Sequence, residues 1–529
     1  MTPLPPLRAP AGDGELLAVP PLDTVGTLVE MNRYRLARPR QPVLELPWPE
    51  LRARARRELL LAARAYLSAA GEPLPLRGTP GGDAPLLLAG HQPELFHPGV
   101  WVKNFALAGL ARRHGWVAVN LLVDNDTVKS TAVFVPATTA DGLGIRTMPF
   151  DRWPGETPWE EYRPVDASAF RQFGDEAAAA VREWGYEPLL TRFWPDVTAR
   201  AAEGGPVGGC FAAARRRIER EWGCHNLELP LSVVCASEAF AWFAGGLLAE
   251  LPRFVETYNR GVHEYRHTHH IRSRHHPVPD LAASGDWLEA PFWGWRTDTP
   301  RRARLFARLR PDRVELRAGD ERWPDLPSPR RGPVFIEAWR RLEADGYKVR
   351  SRALTTTLFA RLFLGDLFLH GIGGGKYDEL TDELIRRFWR VEPPAFVVVS
   401  ATHWLPLPTP PTTADDLHRV EHLQRDLQYN PDRHLTADER ERLAAIVRQK
   451  RDWVARTPTT RTERRERFRE IRRLSESLWP AVADRQAEAR RHHERLANDL
   501  RHLAVAHRRD WAFPLYPEAQ LRAAMTAVR

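Results

Sequence analysis

The chain has 529 residues, 43% hydrophobic and 27% charged, enough for two or three domains with a sizeable shared core. Its 77 Lys and Arg against 68 Asp and Glu give a net charge of +9, but both signs are mixed along helical stretches, so nucleic acid is not an expected partner. The three cysteines, Cys210, Cys224 and Cys235, form no CxxC pair, which excludes a disulfide framework and a zinc ribbon and points to the cytoplasm.

Residues 1–84 read as a proline-rich lead followed by one amphipathic helix over 49–71. The lead has no charged start followed by an apolar run, so no secretory signal is expected. No stretch approaches the roughly 18 apolar residues that cross a bilayer, so no membrane partner is expected. Residues 85–150 open with an apolar run, Pro85 to Gly90, then a loop, a helix over 99–114 and a second apolar run, Trp116 to Val123. Strand, helix and strand in that order predict a parallel sheet with a right-handed crossover.

Residues 151–330 read as inserted material, with helices over 167–184, 206–222 and 237–267 and hairpins over 287–316. Strand and helix alternation returns in 331–411, with helices over 334–345, 353–363 and 377–389, an apolar run at 367–372 and a strand at 395–400. From 412 to 510 two long charged helices, broken near 457–460, predict a helical hairpin or coiled coil. Residues 511–529 begin WAFPLY, apolar enough to dock back on a domain. The fold class expected is therefore α/β, a Rossmann-like parallel core with a helical and hairpin insertion and a C-terminal coiled coil.

In such a sheet the site lies beyond the carboxyl ends of the strands. The turn after the first strand carries Gly90, His91, Gln92, His97 and Gly99. Its glycines permit close backbone approach, and its helix start and two imidazoles suit a phosphate or carboxylate. It matches neither GxGxxG nor GxxxxGK[ST], so an adenine nucleotide, ATP or ADP, stays an open cofactor candidate. Asp124, Asn125 and Asp126 end the second strand, where oxygen ligands suit an amine, a ribose or a cation. Gly373, Gly374, Gly375 and Lys376 form a glycine-rich bend for a second anion. Lys103 stands out because only five of the 77 basic residues are lysine. His91, His97, Lys103, Asp124 and Asp126 are the catalytic candidates. Tyr258, Asn259, Arg266, His276 and Glu289 are expected to help bind a small-molecule substrate.

A competing pattern is HExxH at 263–267, where His263 and His267 share a helix face, Glu264 would activate a water and Glu289 would supply a third zinc ligand. Zinc is a cofactor only under that hydrolase reading. A noncatalytic coiled-coil binding protein is the other alternative.

Gly90-His91-Gln92 with Leu95-Phe96, Pro98-Gly99, Lys103 and Ala106, followed by Val123 to Asp126, resembles the segments "GQQ..LF.GP....K..A" and "EDHD" of the cysteine-adding enzymes of bacillithiol synthesis, the BshC-like family. Ser351 to Leu354 and Leu369 to Gly374 are similar to a later segment of that family, and a charged helical hairpin follows in both. The resemblance implies a Rossmann-like core, a coiled coil that forms a homodimer, and a ligase or transferase joining the carboxyl of an amino acid, cysteine in the family, to an amino-bearing sugar metabolite. This chain departs from the family at His91, where the family has glutamine, and at Asn125, where it has histidine.

Overall fold

The computed structural model describes residues 7–75, 83–140, 142–273, 275–276 and 278–528. These fall into two compact units, one within Met1–Val135, Thr147–Leu405 and Arg509–Arg529, the other within Pro136–Arg146 and Pro406–Arg508.

The first unit is mixed α/β. In chain order the elements that position the site are β1 (Leu16–Val19), α1 (Trp48–Ala69), β2 (Leu86–His91), α2 (Pro98–His114), β3 (Val117–Leu122), α3 (Val207–Glu221), β4 (Leu227–Pro230) and α4 (Leu251–Thr268). They continue with β5 (Trp287–Arg296), β6 (Thr299–Leu309), β7 (Arg313–Ala318), β8 (Tyr347–Ser351), α5 (Ala353–Phe359), β9 (Leu367–His370), α6 (Ile372–Leu384) and β10 (Val397–Ala401). One sheet runs β1-β10-β9-β2-β3-β4, with every pair parallel except the edge pair β1 and β10. Numbered by chain order, its five parallel strands lie 3-2-1-4-5, so the strand order reverses between β2 and β9. Leu86, Leu87, Leu88 and Ala89 are all buried, as a strand covered on both faces requires. Helix α2 starts on an extended His97 with Pro98 at its first position and stops at Gly115, whose φ of 75° suits the left-handed cap.

A second sheet, antiparallel, places β7-β6-β5-β8 side by side. The expected hairpins are its centre, but β8, which joins them from beyond the insertion, was not anticipated. Three expectations need correcting. The lead holds more than one helix: among its described residues β1 pairs with β10, and a further helix spans Val25–Ala37, while residues 1–6 and 76–82 lie outside those described. The insertion is not separate from the core, because its β4 is the third parallel strand. Gly373 to Lys376 is no bend but the first turn of α6. The tail docks as expected, with Trp511 and Tyr516 buried and the Tyr516 hydroxyl donating to the His403 carbonyl at 2.7 Å.

The second unit is helical. It holds α7 (Ala414–Tyr429), α8 (Ala444–Ala455) and α9 (Arg461–Ala506), the last 46 residues long. The break before α9 falls where expected, and Thr460 caps the new helix through the Glu463 amide. Two helices were expected here, whereas the segment before α9 is divided between α7, a short helix at Ala437–Arg442 and α8. Leu427, Val447, Leu478, Val482 and Ala489 form its apolar seam. Among the described residues of the chain, no helix is long and apolar enough to cross a membrane.

Candidate functional site

A cavity of about 220 Å³ opens beyond the carboxyl ends of β2 and β3. Gln92 and Asp126 reach it from those strand ends, Trp293 and Arg302 from the antiparallel sheet, and Arg352 from the segment between β8 and α5. Gln92 Nε2 donates to one Asp126 oxygen at 3.0 Å and Arg302 Nη1 donates to the other at 2.7 Å, while the Lys129 ammonium lies 3.8 Å away. Burial pushes the Asp126 carboxyl up, but Arg302, Gln92 and Lys129 together outweigh it and hold the group below the usual carboxylate range, so it is ionised at neutral pH. The Arg302 and Arg352 guanidinium carbons lie 4.3 and 4.6 Å from the Trp293 ring centre. Arg352 is fixed by Glu289, which is fully buried and also accepts from Arg304 and the Ala282 amide. Glu289 is thus an anchor for a lining arginine and does not itself line the cavity. Asn125 lines it and donates to the Ser351 carbonyl at 2.7 Å. Two fixed cations and one fixed carboxylate at one wall suit a ligand that carries both signs of charge.

The insertion supplies further lining residues besides Trp293 and Arg302. Tyr258 lines the cavity directly, as does the segment holding Val278 and Pro279. Asn259 exchanges two hydrogen bonds with the Leu281 backbone, and Arg266 donates to the Val278 and His276 carbonyls and pairs with Asp280. Asn259 and Arg266 therefore hold a wall and do not touch a ligand in it. The His276 ring centre lies 6.0 Å from that of Tyr377, and His276 is not among the lining residues.

At the strand-order reversal the structure places Lys103, only 2% exposed, with its ammonium donating to the Gly90 carbonyl at 3.1 Å. Burial lowers it to about 8. The neighbouring histidines differ from what the sequence suggested. Burial, reinforced by the Lys103 charge, pushes His91 down to about 3, and burial with Arg509 pushes His97 down to about 4. Both rings are neutral at physiological pH and bring no positive charge to an anion. His91 packs edge-on against Phe96 and lines a separate cavity of about 10 Å³. Gly99 is required by packing, because a Cβ there would sit 2.0 Å from the Ala401 carbonyl oxygen. Asp124 accepts from the Ser232 amide at 2.9 Å and hydroxyl at 2.5 Å, bracing the short helix Leu231–Cys235 that follows β4, and is not among the cavity's lining residues.

No family model matches this chain, and none of the curated proteins does.

The glycine-rich segment stays apart from the cavity. Gly375 packs so close to Val398 that a Cβ would come within 2.4 Å of it, Gly374 faces the His370 ring, and Gly373 and Lys376 are exposed. With a helical turn there and no loop to wrap a phosphate, the residues present do not fit a nucleotide cradle. The zinc reading also loses its ligands. His263 and His267 are exposed on α4, Glu264 is paired with Arg387, and Glu289 is buried against Arg352. Among the described residues, no group of three or more His, Cys, Asp or Glu side chains is placed to hold a metal ion.

Sequence reasoning missed a buried chain beside the reversal. His370 Nε2 lies 2.8 Å from Asp378 Oδ2, which also accepts from Arg361 at 2.6 Å. Burial pushes Asp378 up, but Arg361 and His370 override it and keep the carboxyl well below its ordinary range. The spacing of His370 and Asp378, strand end to the second turn of the following helix, was the available signal. Arg302 had none: it is one arginine among 72.

Proposed function

We propose that the chain is a BshC-like enzyme with a Rossmann-like core that condenses the carboxyl of an amino acid with the amine of a small sugar metabolite, the new carbon–nitrogen bond replacing a carboxyl C–O bond and an amine N–H bond whose oxygen and hydrogens leave as water. The observation that carries this reading is the cavity at the ends of β2 and β3, where Gln92 and Arg302 fix an ionised Asp126 beside Arg352. An amine is held by Asp126, and a carboxylate by the outward N–H groups of Arg302 and Arg352, which brings the two reacting groups of one condensation to adjacent anchors. The 3-2-1-4-5 order of parallel strands supports the Rossmann-like reading, since ligands of such sheets sit beyond the carboxyl ends of the strands. The 46-residue α9 supports an extended helical arm through which two copies would pair, by a face other than its apolar seam, which α7 and α8 of the same chain already cover.

The test is thermal unfolding of the purified chain against a panel of amino acids and amino sugars, because a ligand that binds only the native state raises its stability with occupancy. An amino-bearing ligand should raise the midpoint of the wild type and of His97→Ala, but not of Asp126→Ala or Arg352→Met. If no such compound shifts the wild type, or if the shift survives in Asp126→Ala, the reading falls.

A further inference from the structure

The HExxH pattern drew attention to one pair of histidines four residues apart, but the structure prepares a different pair. On α7, His418 and His422 stand one turn apart and expose their rings, with the two Nε2 atoms 3.2 Å from each other and the ring planes at 90°. Two imidazole nitrogens bound to one zinc ion at about 2.0–2.1 Å with a tetrahedral angle lie about 3.3 Å apart. The pair thus already has the spacing of two ligands on one ion. His263 lacks this arrangement, because its Nε2 faces Asp280 at 3.4 Å.

A second observation concerns the other side of the His418 ring. Glu421 Oε2 lies 3.6 Å from His418 Nδ1, and its other oxygen lies 3.7 Å from Nε2 of His493 on α9. At this distance the carboxylate is an electrostatic partner and not a hydrogen-bond acceptor, but its charge on the Nδ1 side favours the tautomer that carries the proton there and leaves the Nε2 lone pair free, the arrangement that orients imidazole ligands in metal sites. Helix α7 is firmly set for this role. It begins with a reciprocal Thr413 and Asp416 cap and packs along α9, where Gln424 donates to the Ala489 carbonyl at 3.1 Å. His493 follows Ala489 by one turn.

We propose that His418 and His422 form a two-point clamp for a borderline divalent cation such as zinc or nickel, with water completing its shell and Glu421 acting as the positioning carboxylate. In the ligand-free pair one Nε2–H donates to the other Nε2. On binding, His422 moves that proton to its own Nδ1 and both lone pairs turn to the ion, so no proton is lost. Imidazole donors select zinc, nickel and copper over the oxygen-seeking magnesium and calcium. Because Glu421 also faces His493, ion binding stiffens the contact between α7 and α9 within the helical unit. This clamp is independent of the proposed reaction.

The experiment is competition of the untagged full chain with a chromophoric chelator for zinc chloride, then for nickel chloride and magnesium chloride. One zinc per chain should bind at this clamp, and magnesium should not compete. His418→Ala and His422→Ala, both at exposed positions and with unchanged circular dichroism, should each weaken that zinc more than 10-fold. Glu421→Gln should weaken it on the order of 10-fold. His263→Ala/His267→Ala should leave it in place. Zinc binding that is unaltered in His418→Ala/His422→Ala, or that disappears instead in the 263/267 variant, overturns the proposal.

Discussion

Asp124 separates a structural role from a catalytic one through its response to pH. Burial first, and the neighbouring Glu160 charge second, raise its carboxyl from an ordinary 3.8 to about 7. In the unfolded chain the proton leaves near 3.8, and in the folded chain near 7. Between those values the folded state holds the extra proton, so stability is greatest below pH 3.8, falls as pH rises through the window and levels off above 7. A shift of about three units at about 1.36 kcal/mol each makes the loss about 4 kcal/mol. Asparagine preserves the local bonds without ionising: its carbonyl accepts from the Ser232 amide and its NH₂ donates to the Ser232 hydroxyl, the two groups that Asp124 now engages. Urea unfolding followed by tryptophan fluorescence from pH 4 to pH 8 should therefore find wild type and Asp124→Asn within about 1 kcal/mol at the acid end, with the variant ahead by about 4 kcal/mol at pH 8. A difference that stays flat across the range, or that grows in favour of the wild type, refutes the burial argument and returns Asp124 to the candidates for chemistry.

Three other substitutions test the remaining assignments. Gly99→Ala drives a Cβ against the Ala401 carbonyl, which cannot move without shifting β10, and should lower stability by about 3 kcal/mol, near the top of the overpacking range; an unchanged urea midpoint would mean that Gly99 serves a ligand and not packing. Gly373→Ala adds a methyl with nothing within 4 Å in an exposed helical turn and should gain about 0.5–1 kcal/mol; loss of ligand-induced stabilisation instead would reinstate the anion-binding bend. Lys103→Met removes an ammonium that burial lowers from 10.5 to about 8, a penalty on the folded state that is full below pH 8 and fades toward 10.5. The variant should gain up to about 3 kcal/mol at pH 7, and that gain should shrink as the pH of the urea titration is raised to 10.

The first βαβ unit was legible because its signals are local. The Leu86 to Ala89 run, the His97-Pro98 helix start and the Gly115 stop each act within a few residues. Strand β4 was not legible, because Leu227–Pro230 is four residues long and contains Glu228, a charge that no sequence pattern would bury. It is buried because Arg215 and Arg216 of α3, themselves 3% and 4% exposed, both pair with it. The glycines of α6 misled for a related reason. Gly375 answers close approach by Val398, from a strand that the sequence does not place beside it, and Gly374 answers the ring of His370, four residues earlier, whose direction only the fold sets. The histidines of the first turn were correctly placed near strand ends, but their neutrality depends on how deeply the tail and Lys103 enclose them.

The cavity lies on the β2 and β3 side of the sheet, not at the strand-order reversal where an open parallel sheet usually takes its ligand. At the reversal, the Lys103 side chain bonded to Gly90 occupies the space between β2 and β9: a Cβ at Gly371 would come within 3.9 Å of its ammonium. Farther along, the antiparallel sheet supplies Trp293 from β5, Arg302 from β6 and Ser351 from β8 above the ends of β2 and β3. The parallel sheet thus contributes the hydrogen-bonding floor, Gln92, Asn125 and Asp126, while the insertion contributes Arg302 and Trp293 and the segment after β8 contributes Arg352. A site divided in this way fixes its ligand class through Arg302 and its neighbours, and changes confined to the antiparallel sheet should alter which compound binds while β2, α2 and β3 keep their geometry.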